Sequence, residues 1–204
     1  MLTTMKSKKV ILAFTFATVC FLTYAQTQLV YDSPDHLKFN DIPLNGHINE
    51  FVKNLEKKGF SEVLRAESLI DFEGNYMGKP CTGTIFCSEK TKIVYNVLVY
   101  LTTNEKNWQT YKIYYFETKK ALQIKYGLGS SVETFLSPYA EGDGRETEAI
   151  NNSHCIYKTD WVISSGRISL VIMNDGIAIE FSDKKNELVY KNEKPKNIDN
   201  DDEW

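Results

Sequence analysis

The sequence predicts an α+β protein: two tandem repeats, each of one helix followed by about three antiparallel strands, with the helices backing the sheets. Three observations carry that prediction. Apolar residues recur at helical spacing in two stretches, Ile48 to Leu55 and Trp108 to Tyr126. Each stretch is followed by runs in which apolar and polar residues alternate. Turn signals separate those runs, and the strongest is Asp175-Gly176, where a two-residue hairpin loop needs positive φ at both positions.

In chain order, residues 1–25 read as a signal peptide. Lys6, Lys8 and Lys9 precede an apolar run from Val10 to Leu22, and Thr23-Tyr24-Ala25 supplies a small residue at the expected cut. Val19 before Cys20 does not fit a lipidation site. Residues 26–44 read as an extended leader. Residues 45–104 form the first repeat. Ile48, Phe51, Val52 and Leu55 make one face of an amphipathic helix, which Lys57-Lys58-Gly59 ends. Leu64, Ala66, Ser68, Ile70 and Phe72 alternate with polar residues as a half-buried strand. Cys81 to Cys87 and Ile93 to Leu101 are the second and third strands, joined by a turn at Ser88-Glu89-Lys90-Thr91.

Residues 105–190 repeat the order. Trp108, Tyr111, Tyr115, Thr118, Leu122 and Tyr126 form the second helical stripe, ended by Gly127. Phe135 marks a short strand. Cys155 to Ile163, Ile168 to Ile172 and Ile177 to Phe181 are strands separated by Ser165-Gly166 and Asn174-Asp175-Gly176. In the register that aligns the halves, Ile85-Phe86-Cys87 meets Asp160-Trp161-Val162, and Cys81 falls within a residue of Cys155. Residues 191–204 are charged and aperiodic, and read as a disordered tail.

Composition excludes several function classes. Residues 1–25 hold three lysines and no acid, so the remaining 179 residues carry 21 basic against 27 acidic side chains. An acidic chain without a basic cluster is unsuited to nucleic acid or an anionic membrane surface. No stretch after the signal reaches the roughly 20 apolar residues of a membrane span. The chain is therefore expected in the periplasm or outside the cell.

The run His36-Leu37-Lys38-Phe39-Asn40-Asp41-Ile42-Pro43-Leu44-Asn45-Gly46, leading through Phe51 and Leu55 to Lys58-Gly59-Phe60, resembles small exported proteins of Bacteroides-type bacteria. The resemblance extends to Trp161 and the last hairpins. The helix-then-strands repeat is similar to the tandem fold of the β-lactamase inhibitor protein, and more loosely to small outer-membrane assembly lipoproteins. That resemblance implies two units with their sheets side by side and a concave binding face. It brings no functional residues to carry over, and fold likeness alone does not license function.

Candidate chemistry is sparse. Cys81 and Cys87, six apart in one strand, lie roughly 20 Å apart, beyond the roughly 7 Å Cα limit of a disulfide. Cys155 with Cys81 or Cys87 is the candidate bond, unless Thr82-Gly83 turns the chain; buried free thiols are the alternative. His154 and Cys155, adjacent in a strand, point to opposite faces, which argues against a shared zinc ion or a Cys–His pair. His36 and His47 remain as other bases for Cys155. The loop Glu141 to Glu148 has oxygen ligands and glycines without EF-hand spacing. Glu67, Asp71, Asp160 and Glu180 sit on strands, where two carboxylates can serve glycoside hydrolysis. No metal or cofactor is implied. The expected function is non-catalytic binding of a protein or envelope component, with Tyr95, Tyr157 and Trp161 as aromatic anchors. The alternatives are an extracytoplasmic hydrolase acting on glycan or peptide through acids, and a structural envelope accessory protein.

Overall fold

The computed structural model describes residues 36–103 and 105–193; the stretch read as a signal peptide, the part of the leader before His36 and the part of the tail beyond Glu193 lie outside them. The chain is α+β and its strands are antiparallel throughout. A small hairpin of β1 (Lys38–Phe39) and β2 (Ile42–Pro43) comes first. Then follow helix α1 (Ile48–Glu56) and strands β3 (Ser61–Arg65), β4 (Leu69–Tyr76), β5 (Lys79–Cys87) and β6 (Val94–Leu101). Helix α2 (Trp108–Tyr126), strand β7 (Ser130–Phe135) and short helix α3 (Glu146–Asn151) precede β8 (Cys155–Ile163), β9 (Gly166–Met173) and β10 (Gly176–Asp183). Helix α4 (Lys184–Glu193) is last. The eight strands β3 to β10 form one sheet in the order β3-β4-β5-β6-β10-β9-β8-β7.

Both long stripes are helices as expected. Ile48, Phe51, Val52 and Leu55 are buried, and His47 caps α1 by accepting from the Asn49 N–H. Trp108, Tyr111, Tyr115, Thr118 and Leu122 are the buried line of α2, whose first turn is capped by Asn107.

Four strands, not three, separate α1 from α2. The stretch read as one strand around Leu64 to Phe72 is a hairpin: the Ala66 N–H donates to the Leu69 carbonyl, and β3 and β4 pair on either side. Alternation persisted through the turn and so concealed it. A second tight turn, at Met77-Gly78, places both residues at positive φ (54° and 75°) and joins β4 to β5.

The leader and the tail also differ from expectation. Asn40 and Asp41, at φ 47° and 66°, turn the chain so that Leu37, Phe39 and Leu44 enter the core. Helix α4 runs through Glu193, three residues into the stretch read as tail. Asp183, fully buried, ties both ends together: it accepts from the Leu37 and Asn186 N–H groups (2.8 and 2.9 Å) and meets His36 Nδ1 at 3.1 Å. Asn186 in turn donates to the carbonyls of Leu44 and Val94.

Register fixes the two faces of the sheet. Phe72, Gly83, Val99, Ile179, Leu170 and Thr159 lie in one row across six strands on the inner face, with α2 packed over β8, β9 and β10. Period-two alternation sends the next row, Asp71, Thr84, Leu98, Glu180, Ser169 and Asp160, to the outer face.

Candidate functional site

Two of the three aromatic anchors predicted from sequence, Tyr157 and Trp161, are core residues. Tyr157 and Trp161 alternate along β8 onto the inner face, with 4% and 2% of their surface exposed. The Tyr157 ring packs edge-on against Trp108 and Tyr115, its hydroxyl donates to Glu141 at 3.0 Å, and Trp161 Nε1 donates to the Gly127 carbonyl at 2.9 Å. Burial, reinforced by the Glu141 carboxylate, raises the Tyr157 hydroxyl pKa. Tyr95 is half-buried and stacks on Tyr190 of α4 at 4.2 Å. Strand alternation predicts that residues share a face, but helix packing decides whether that face is open, and here α2 covers it.

Nor do the cysteines pair. Cys81, Cys87 and Cys155 are free thiols, and Cys81 on β5 lies four strand positions from Cys155 on β8, roughly 19 Å at ordinary strand spacing. Burial pushes the thiols of Cys81 and Cys155 up to about 11 and about 12, and raises that of Cys87. Such thiols stay protonated near neutral pH and are poor nucleophiles. The three histidines are engaged elsewhere: His36 with Asp183, His47 on α1, and His154 with the Asn152 carbonyl.

The acidic loop is held by its own side chains. Glu141 pairs with Lys112, Asp143 accepts from the Ala140 and Arg145 N–H groups, and Glu148 binds Arg145 and Tyr139. Hydrogen bonds from these partners hold all three carboxyls below the usual range. Among the described residues, no group of three His, Cys, Asp or Glu side chains is placed to hold a metal ion.

The outer face of the sheet is what remains. Three of the four acids singled out from sequence, Asp71, Glu180 and Asp160, share its central row, while Glu67 sits in the β3–β4 turn beside Lys92. Glu180 and Asp160 are two strands apart, about 10 Å. Asp71 accepts from Thr84, and Glu180 from Asn96. Burial tends to raise the pKa of Asp160, but bonds from Arg167, Ser169 and Lys158 outweigh it and keep the carboxyl low. Asp160 is thus held as a carboxylate in an ion-pair network rather than poised as a general acid.

Leu98 lies in that row, and around it stand Thr82, Tyr100 and Val171, with Val162 and Met173 exposed at 82% and 44%. An open groove of about 700 Å³ meets this face where β6 ends beside the β9–β10 turn, lined by Thr82, Tyr100, Thr102, Cys155, Met173 and Asp175. Sequence reading missed Leu98 and Tyr100 because β6 is apolar on both faces, so periodicity there names no outer side. No family model, curated protein or solved structure matches this chain. No helix of the described residues is long and apolar enough to cross a membrane.

Proposed function

We propose that this is an exported, non-catalytic binding module that takes a protein or envelope component on the outer face of its sheet. The N-terminal signal pattern supports export. The binding reading rests on one observation: across six strands the outer face carries neutral side chains, hydrogen-bonded carboxylates at Asp71 and Glu180, an ion-paired Asp160 and exposed apolar residues among them, outside the core that α1 and α2 cover. Tyr100, Leu98 and Val171 replace Tyr95, Tyr157 and Trp161 as the contact residues of this reading, with Arg167 and Lys158 beside them.

The same reading treats the chain as a tandem duplication of helix plus four strands. Its support is the strand order, which is mirrored about the β6–β10 pair. Under it β5 corresponds to β9 and β6 to β10, one strand on from the register the sequence indicates.

The test is affinity capture from envelope and secreted extracts with the full chain, tagged at its C-terminus and processed by its own host. One saturable partner is expected, lost in Tyr100→Glu while thermal melting is unchanged. Retention of that partner by Tyr100→Glu and Leu98→Glu together would remove the outer face from consideration.

A further inference from the structure

We propose that strand β7 is a dimerisation edge, pairing antiparallel with β7 of a second copy about a two-fold axis through Val132. The two edges of the sheet differ. On β3 the pairing slips between Glu62 and Leu64, and Arg65 pairs with Glu62 along the strand; a bulge and charges are ordinary guards against edge-to-edge association. On β7 six successive residues pair with β8 without a shift, and Ser130-Ser131-Val132-Glu133-Thr134-Phe135 contains neither Lys nor Pro. Its one charge, Glu133, is taken up by Lys119 at 2.5 Å. Among the described residues, no strand pairs with the far side of β7.

The occupant follows from the side chains. Leu128, Val132 and Leu136 are 91%, 53% and 42% exposed and spaced four apart: Val132 lies within β7, Leu128 and Leu136 flank its two ends, and the Leu136 N–H continues the ladder by donating to the His154 carbonyl. They are symmetric about Val132. In an antiparallel pair centred there, Leu128 meets Leu136 of the other copy, and Val132 meets itself. Ser130 faces Thr134 and Ser131 faces Glu133, so no like charges oppose. Cross-strand apolar and hydroxyl pairs of this kind stabilise a sheet, while like charges oppose it. Moving the axis to residue 133 sets Glu133 against Glu133 and breaks the leucine pairing. The pattern therefore specifies both a partner and a register, which an unrelated peptide has no reason to match. The pair also makes the outer faces of two copies continuous.

Sedimentation equilibrium of the processed full chain is expected to give twice the chain mass. Val132→Lys, on an exposed position, should fold normally and raise the dissociation constant at least tenfold. A register test stands apart from stability: Val132→Cys should cross-link between copies under mild oxidation, because self-facing residues lie within disulfide range. Ser130→Cys should not, its two copies being four residues apart along the strand. Peptide mapping separates these bonds from the native thiols. A wild-type mass of one chain at the highest attainable concentration would overturn the proposal. So would an unchanged dimer in Val132→Lys, or equal cross-linking at residue 130.

Discussion

The two ends of the sheet are filled by different aromatic chemistry. Beneath β4 and β5, Phe39, Phe60 and Phe72 pack with ring centroids 5.5–5.9 Å apart, joined by Tyr76 and Phe181. Beneath β7 and β8 the corresponding rings are Trp108, Tyr115, Phe135, Tyr157 and Trp161. The first cluster is positioned by shape: Gly74 and Gly83 leave the space in which the rings of Phe60 and Phe72 lie, and a Cβ at either glycine would come within 2.5 Å of a ring carbon. The second is positioned by direction, because the buried tips of Tyr115, Tyr157 and Trp161 must each meet an acceptor. A phenylalanine core tolerates rotation of what covers it. A tyrosine and tryptophan core fixes the rotation and height of α2 and extends its polar contacts to the surface at Glu133 and Glu141.

The largest test asks whether these are two cores or one. Phe72→Ala and Trp161→Ala should each cost about 3–5 kcal/mol, the usual range for emptying a buried aromatic site. Because β6 and β10 pair over six residues and carry the sheet across the middle, each variant should shift a single unfolding transition. Denaturant melts followed by far-ultraviolet circular dichroism and by tryptophan fluorescence would check this. Two separated transitions in either variant would show that the halves fold as independent units.

A smaller effect isolates direction from volume. Tyr115→Phe keeps the ring and removes the hydroxyl, which meets Thr159 Oγ1 at 2.7 Å and Glu133 at 3.2 Å. Thr159 retains Ser131 as a partner at 2.9 Å, so no buried group is stranded. The expected loss is about 1 kcal/mol, measured by chemical denaturation. A double-mutant cycle with Thr159→Val should return most of it as coupling. Absence of coupling would mean that the second core, like the first, is held by shape.

How much of this was legible in the sequence follows from the same contrast. The helices were readable because Ile48, Phe51, Val52 and Leu55, and later Trp108 to Leu122, each form a single stripe against polar neighbours. Strands β5 and β8 to β10 were readable from alternation and from Asp175-Gly176, and β6 from its unbroken apolar run. The β3–β4 turn was not, since Ala66 and Ser68 keep the alternating pattern of the strands they separate. The aromatic anchors were misplaced for a related reason: an alternating Tyr157 and Trp161 looks the same whether its face is open or lies under a helix. What decides is the packing of α2 over β8 to β10, a tertiary relation that no local period contains. The row of Asp71, Glu180 and Asp160 was similarly hidden, because only register across six strands brings those carboxylates into line.

The smallest effect is electrostatic and belongs to the second core alone. Glu141 accepts from Lys112 and from the Tyr157 hydroxyl, and these bonds hold its carboxyl below the ordinary value of 4.5. A carboxyl whose pKa is depressed on folding stabilises the fold fully above its unfolded value, and that stabilisation is lost as pH falls through the folded one. Wild type should therefore exceed Glu141→Gln in stability near neutral pH, and the difference should close progressively below about pH 4.5. The side chain is 44% exposed, so screening limits the difference to a few tenths of a kcal/mol. Both tryptophans of the described residues, Trp108 and Trp161, belong to this cluster, so the tryptophan bands of near-ultraviolet circular dichroism report it selectively. In denaturant melts read by this signal, the wild-type midpoint should exceed that of Glu141→Gln near neutral pH, and the two midpoints should converge below about pH 4.5. A difference between the two midpoints that does not change with pH would place the acid-sensitive contacts elsewhere and leave the two cores electrostatically alike.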